Sequence, residues 1–285
     1  MLKMSKRAIA INTGAGIIIA TALVTFVHTT FARPYFEVCS TRYNRQLAMQ
    51  LDRGGAPLAA AELQAVANGQ DEGLLDNLTI GQFKEGPAKF AMGVKLAAGT
   101  AEQRSQTGAQ GGISLPWIPS LMEQPTAACL SYNVYLPADF DFDQGGTLPG
   151  LFATTINGQY TDTPHVAANL SWRGAGVPKM FVQSRAGETQ TMGAFDTYAR
   201  VLPRGRWLQV DQEVILNTPG QADGTVRLWF DGKLETEVKA APLRPDAAIS
   251  IAGVAGDVFF GGSGTGGHAK ADTTIWLSPF ELRWN

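Results

Sequence analysis

Cysteine is almost missing from this sequence: Cys39 and Cys129 are the two in 285 residues. Two thiols can neither staple a disulfide-rich miniature scaffold nor fill a four-thiolate zinc site. Histidine is nearly as scarce, with His28, His165 and His268, and the first lies in a leading apolar segment. A multi-histidine metal site is therefore not expected, and no cofactor is implied. Charged side chains make up 17% of the chain and the formal net charge is −2, so the basic surplus of a nucleic-acid binder is lacking. No glycine-rich stretch between a strand and a helix carries the lysine of a phosphate-binding loop. Ser131, Ser171 and Ser184 lack the strand–turn–helix setting of a nucleophile elbow. Repeats of 20 to 50 residues are absent. The apolar fraction, 45%, is ordinary, which excludes wholesale disorder and allows one large domain or two small ones.

What is present begins with an address. Lys3, Lys6 and Arg7 precede an almost uncharged apolar run from Gly14 to Val27, and Thr30-Phe31-Ala32 offers a cleavage point before Arg33-Pro34. This is the layout of a secretory signal peptide over residues 1–32. The alternative is an uncleaved anchor, since Ala8 to Val27 could just span a bilayer. Either way the remainder is expected in an oxidising compartment, secreted or periplasmic, touching a membrane only through a retained N-terminal segment. There Cys39 and Cys129 can pair; two unpaired buried thiols are the alternative. Without Lys3, Lys6 and Arg7, the 23 basic side chains become 20 against 25 acidic ones, a net charge of −5. An acidic polymer would then need a locally basic cleft.

Residues 33–88 read as a helical and irregular appendage. From Tyr43 to Gln70, Leu47 and Leu51, then Leu58, Leu63 and Val66, suit two short helices broken at Gly54-Gly55-Ala56-Pro57. Over residues 89–285 short alternating runs are separated by Gly, Pro and Asp turns, the pattern of a β-sandwich or barrel. Leu130, Tyr132, Val134 and Leu136 alternate with polar neighbours; so do Leu208, Val210, Gln212, Val214 and Leu216, and Val226, Leu228 and Phe230. Asp231-Gly232 predicts a tight hairpin turn. The 32 glycines are punctuation of a sheet system.

The segment His165 to Arg185 carries the chemistry. If Val166, Ala168, Leu170, Trp172, Met180 and Val182 face the core, alternation turns His165, Asn169, Arg173, Lys179, Phe181, Gln183 and Arg185 to the other side. Two adjacent strands then present a basic, hydrogen-bonding face without a carboxylate, with Phe181 as an apolar platform. Such a face suits a sugar polymer bearing carboxylates; the plainer reading is the solvated side of an antiparallel sheet. His268, in a glycine-rich loop, reads as a surface residue.

A set of longer motifs resembles a known family. Leu130-Ser131-Tyr132-Asn133-Val134-Tyr135-Leu136-Pro137 is followed by Phe140-Asp141-Phe142 and by Gly145-Gly146-Thr147-Leu148-Pro149-Gly150-Leu151. Gly205-Arg206-Trp207, Leu216-Asn217-Thr218-Pro219-Gly220 and Phe259-Phe260-Gly261-Gly262-Ser263 come later. In that order and spacing, from about Phe90 onward, the chain resembles polysaccharide lyase family 14, the alginate and glucuronan-type lyases. The resemblance implies an all-β jelly roll whose concave sheet holds an acidic polysaccharide, and cleavage of uronate chains by β-elimination. It also implies a lysine where Thr147 stands, a Ser-x-Arg pair at Ala167 and Asn169, and a Tyr-x-Tyr pair at Phe181 and Gln183. None of these five can act as a base at neutral pH. Three functions follow. One is a lyase with relocated machinery, His165 as base and Arg173, Lys179 or Arg185 neutralising a carboxylate, with Thr147, Asn169, Phe181 and Gln183 contacting sugar. Another is a non-catalytic polysaccharide binder, and the third a cell-envelope structural protein.

Overall fold

Alternating apolar side chains need a second apolar surface to cover them, and here two antiparallel sheets cover each other. The computed structural model describes residues 36–67, 72–83, 85–101, 111–155, 165–186, 189–262 and 267–285. The leading segment expected to act as signal or anchor lies outside the described residues, as do residues 68–70. Among the described residues, no helix is long and apolar enough to cross a membrane.

The strands, in chain order, are β1 (Arg45–Ala48), β2 (Asp52–Arg53), β3 (Ala56–Pro57), β4 (Leu78–Gln82), β5 (Phe90–Leu96) and β6 (Pro116–Trp117). Then come β7 (Ala127–Tyr135), β8 (Gly145–Thr155), β9 (Val166–Arg173), β10 (Val177–Ala186), β11 (Thr189–Asp196) and β12 (Trp207–Ile215). The last are β13 (Gly224–Phe230), β14 (Lys233–Ala241), β15 (Ile249–Ala255), β16 (Phe259–Phe260), β17 (Thr273–Leu277) and β18 (Glu281–Trp284). Two helices, α1 (Ala60–Ala67) and α2 (Leu74–Asn77), precede β4. One sheet runs β14-β13-β12-β7-β17-β5-β4, with β18 on β7 and β1 on β18; the other runs β11-β10-β9-β8-β15-β6, with β16 on β8. Residues from Phe36 to the C-terminus form one compact unit.

Between the sheets lie Leu130, Tyr132, Val134, Val210, Val214, Val226 and Leu228 from one side and Leu151, Val166, Ala168, Leu170, Trp172, Met180 and Val182 from the other, all buried. The inward sets expected from alternation are thus the ones observed. Under the motif residues an aromatic cluster forms: Phe140 stacks on Phe260 at 5.7 Å and meets Trp172 at 5.9 Å. Trp172 Nε1 donates to Phe142 O at 2.9 Å. Gly146 passes beneath this indole, and a Cβ there would overlap the Trp172 ring. That is why the motif begins with glycine. The hairpin joining β13 and β14 turns at Asp231 (φ 47°) and Gly232 (φ 75°), the pair of positive φ angles a two-residue turn requires.

Two readings of the N-terminal region change. The leucine spacing at 47 and 51 suggested a helix, but Arg45–Ala48 is a strand, paired with Glu281–Trp284. Its partner is more than 200 residues away, so a local pattern could not reveal it; pairing the exposed backbone of β18 outweighs weak helical periodicity. A helix does form at 60–67, but it buries Leu63 and Ala67 and leaves Val66 half exposed. Glu62 accepts from Ala59 N at 2.9 Å, capping its first turn.

Asp211 and Glu213 alternate with the inward residues of β12 and so lie on the sheet's outer side, yet both are buried. Residues 36–44 fold across the outer face of β12 and β13. Cys39 is disulfide-bonded to Cys129, and Trp229 and Leu234 pack around the bond with Phe36, Val38 and Tyr43. Glu213 accepts from Arg42 Nη2 (2.6 Å), Arg227 Nη1 (2.7 Å) and the Tyr43 hydroxyl (2.8 Å). Asp211 accepts from Ser131 Oγ (2.6 Å) and Gln209 Nε2 (2.9 Å), and burial pushes its carboxyl up from the usual range.

Candidate polysaccharide-binding face

The outward side of β8, β9 and β10 is organised as rows, because antiparallel register sets residues directly opposite one another. Asn169 lies opposite Phe181, Ala167 opposite Gln183, and Ser171 opposite Lys179. On the other flank of β9, Gly150 faces Asn169, Phe152 faces Ala167 and Thr147 faces Ser171. The register extends to His165, whose carbonyl accepts from Arg185 N at 2.8 Å. His165 Nδ1 lies 3.4 Å from Thr154 Oγ1, a long contact. Thr154, His165 and Arg185 therefore form one row across three strands.

This face is graded rather than uniformly exposed. Thr147, Phe152, Ala167, Asn169, Ser171 and Phe181 are buried and form a floor. His165, Arg173, Lys179, Gln183 and Arg185 are half-buried and form the rim. The floor is small and apolar in its centre, and the titratable and cationic groups stand around it.

The floor owes its shape to an irregularity in β8. Register slips between Thr147 and Gly150, placing Leu148 and Pro149 in a bulge, where a proline is tolerated inside a sheet. Three backbone groups in and beside the bulge are met by side chains. Asn169 Nδ2 donates to Leu148 O (3.3 Å), the Tyr132 hydroxyl to Pro149 O (3.1 Å), and Leu151 N to Gln212 Oε1 (2.7 Å). Gln212 Nε2 in turn donates to Ala168 O at 2.8 Å. Gly150 runs so close to Ala168 O that a Cβ would overlap it. The Leu-Pro-Gly part of the motif is thus a device for bending β8 under the site.

Each sequence-predicted residue can now be placed. His165, Asn169, Arg173, Lys179, Phe181, Gln183 and Arg185 do share one face. Thr147 lies on the same side, but it is buried and its hydroxyl donates to Gly261 O at 3.1 Å. The absence of a carboxylate holds for β9 and β10 alone. Asp196, on β11, stands opposite Lys179 and is ion-paired with it. Lys179 is therefore locally neutralised, while Arg185 has no side-chain partner among the described residues. Counting register one strand further, from Lys179 to Asp196, is the signal that would have found this carboxylate. Thr154, which orients His165, was also missed; it lies one strand back by the same count. His268 stands apart, exposed beside Asp143. Asp143 and Asp141 are bound by Lys270, and hydrogen bonds from backbone N–H groups and from Lys270 hold both carboxyls below the usual range. Among the described residues, no cluster of three or more His, Cys, Asp or Glu could hold a metal ion.

The family model Polysaccharide lyase 14 matches residues 84–280. The chain belongs to polysaccharide lyase family 14. Among solved structures, a PL-14 alginate lyase from Aplysia kurodai superposes with a TM-score of 0.65 at 18% identity, covering 85% of this chain and 99% of that one. Alginate lyase vAL-1 from Chlorella virus gives 0.56 at 16% identity, over 73% and 89%. An endo-β-1,4-glucuronan lyase from Trichoderma reesei gives 0.50 at 12%, over 73% and 87%. At such identities the likeness establishes the fold: this family-14 protein is a jelly roll of antiparallel sheets. No curated protein sequence matches it significantly.

Proposed function

We propose that this family-14 protein is exported and acts on an acidic polysaccharide, cleaving a uronate chain by β-elimination with His165 as base. The observation that carries this is the row Thr154–His165–Arg185 at the rim of the graded face: an imidazole directly opposite a guanidinium that has no side-chain partner among the described residues. Export rests on the leading segment and agrees with the Cys39–Cys129 bond, which suits an oxidising compartment.

The chemistry needs two groups. Arg185 pairs with the C5 carboxylate of a uronate, which stabilises the negative charge that develops when the C5 proton leaves. His165 takes that proton: in the tautomer whose Nδ1–H faces Thr154 Oγ1, the lone pair is on Nε2. Electrons from the C5–H bond form the C4–C5 double bond, and the C4–O bond breaks toward the leaving sugar. The imidazolium or a water returns a proton to that oxygen. Asn169 and Gln183 supply hydrogen bonds to sugar hydroxyls over the Phe181 and Phe152 floor.

The test is incubation with alginate, polyglucuronate and native exopolysaccharides, following the absorbance of unsaturated uronate ends. His165→Ala and Arg185→Ala are each expected to lower the rate at least about 100-fold, the usual scale for a general base or charge-stabilising donor, with thermal melting unchanged. Absence of unsaturated product from every acidic glycan would sink the enzymatic reading.

One observation favours a second reading, a binder that has kept the cleft without the reaction. Thr147, Asn169 and Phe181 stand where the family resemblance calls for titratable or cationic groups, and Thr147 is tied to a backbone carbonyl. Retardation in polysaccharide-containing gels without chain shortening would establish it; free migration in all such gels would eliminate it.

A further inference from the structure

A depression of about 300 Å³ lies where β10 ends, lined by Ser184 and Arg185, by residues 217 and 220–222, and by residues 242–245. No acidic side chain lines it among the described residues. Arg244 is 9% exposed, and it is held by neutral groups alone. Its Nε donates to Asn217 O (2.8 Å), and its Nη1 to Ile249 O (2.6 Å) and Ala247 O (3.3 Å). Asn217 braces the same residue, accepting from Arg244 N at 2.6 Å and donating to Arg244 O at 2.9 Å. The Nη2 amino group has no partner among the described residues.

A guanidinium so buried ordinarily has a carboxylate against it. The acid nearest in influence is Asp223, but its carboxylate is engaged by Thr218 N (2.7 Å) and Thr218 Oγ1 (2.9 Å) and makes no ion pair with Arg244. Arg185, the depression's other cation, also has no side-chain partner among the described residues, but it is already assigned to the sugar at His165. The Nη2 amino group of Arg244 is therefore the charged donor left open on this space, which is at the lower end of small-ligand size, roughly 300–1,000 Å³. A carboxylate oxygen is the natural acceptor for such a charged donor.

The depression also continues the candidate face. Arg185, which lies opposite His165, lines its edge, so the space adjoins the reacting row and suits a sugar next to the one at His165. We propose that the depression is a separate subsite in which Arg244 receives the carboxylate of a sugar-acid residue further along the chain from the one at His165. This rests on the acidic-polysaccharide reading above and adds to it a second point of charge recognition.

Arg244 braces its loop, so its own replacement would confuse binding with folding; Ala222 is exposed on the rim and serves instead. Binding of glucuronate and mannuronate oligosaccharides, and of their carboxyl-reduced counterparts, would be measured by calorimetry for the unmodified protein, Ala222→Glu, Ala222→Gln and Phe181→Ala. A carboxylate placed beside Arg244 is expected to weaken the acidic oligosaccharides about tenfold, near 1.4 kcal/mol. Ala222→Gln should stay within about twofold, and the reduced oligosaccharides should respond to neither change. Equal weakening by Ala222→Glu and Ala222→Gln would overturn the proposal, since shape rather than charge would be at work. If Ala222→Glu bound normally while Phe181→Ala lost affinity, the polymer would lie on the face without entering the depression, and this proposal alone would fail. No binding of any acidic oligosaccharide would remove both readings.

Discussion

Glu213→Ala is expected to cost about 3 kcal/mol of stability. Removing one partner of a buried ion pair typically costs ~3–5 kcal/mol, because the remaining charges are left unmatched in a poorly solvated place. The lower end applies here. Arg227 keeps Glu237 at 2.7 Å, and Arg42 is 35% exposed and can turn to water. The hydroxyl of the half-buried Tyr43 also loses its acceptor. Asp211, two residues away on the same strand, should behave oppositely. No cation pairs with it, and burial raises its carboxyl, so the folded state holds the proton more tightly than the unfolded one. Its contribution to stability therefore falls as pH rises from the ordinary carboxylate range through the raised value, and is flat above that. Asp211→Asn keeps an acceptor for Ser131 and removes the buried charge, so it should be neutral or stabilising near neutral pH. Denaturant titrations of both variants at pH 4 and pH 7 would check this. A Glu213→Ala protein as stable as the unmodified one, or an Asp211→Asn protein several kcal/mol weaker at pH 7, would contradict the account.

Breaking the Cys39–Cys129 bond should have an effect of similar size for a different reason. The cysteines are 90 residues apart, and closing a loop of that length restricts the unfolded chain by roughly 4–5 kcal/mol in the chain-entropy model; native disulfides contribute about 2–5. Cys39→Ala/Cys129→Ala is expected to lower Tm by roughly 6–12 °C, and reductant should bring the unmodified protein to the same value. Both anchors hold residues 36–44, so the effects should not add: once the segment is released by one change, the second has less to remove. Limited proteolysis gives an independent view, since cleavage within 36–44 should appear in either variant. A Tm insensitive to reductant would show that the covalent tie contributes nothing to holding this segment.

How far the sequence could be read depended on whether a signal was local. Strands β7, β12 and β13 were legible because their alternation is strict and both sheets bury one face. The candidate face was legible for the same reason: once Trp172 and Met180 point inward, His165, Asn169, Phe181 and Arg185 have no other side to occupy. What failed was everything decided by a distant partner. Arg45–Ala48 is a strand because of residues 281–284. Asp211 and Glu213 are buried because residues 36–44 cross over them. Thr147 is withdrawn from solvent by Gly261, and Lys179 is neutralised from a strand whose register must first be counted. The shape of the floor was not visible: Leu148-Pro149-Gly150 stood out only as part of a family motif, and nothing nearby in sequence names Tyr132 and Gln212 as the side chains that complete the bend.

Gln212 has a mechanical consequence. Two sheets joined by methyl and methylene groups can creep past each other, since one apolar contact replaces another at little cost. The Gln212 carboxamide reaches from β12 to Leu151 N on β8 and Ala168 O on β9, and peptide-like bonds in a dry interior have no substitute a few ångströms away. The sandwich therefore behaves as a keyed joint rather than a sliding one. A load along the rim would fall on this amide together with the Tyr132–Pro149 bond, and the floor above them would hold its alignment until those keys sheared.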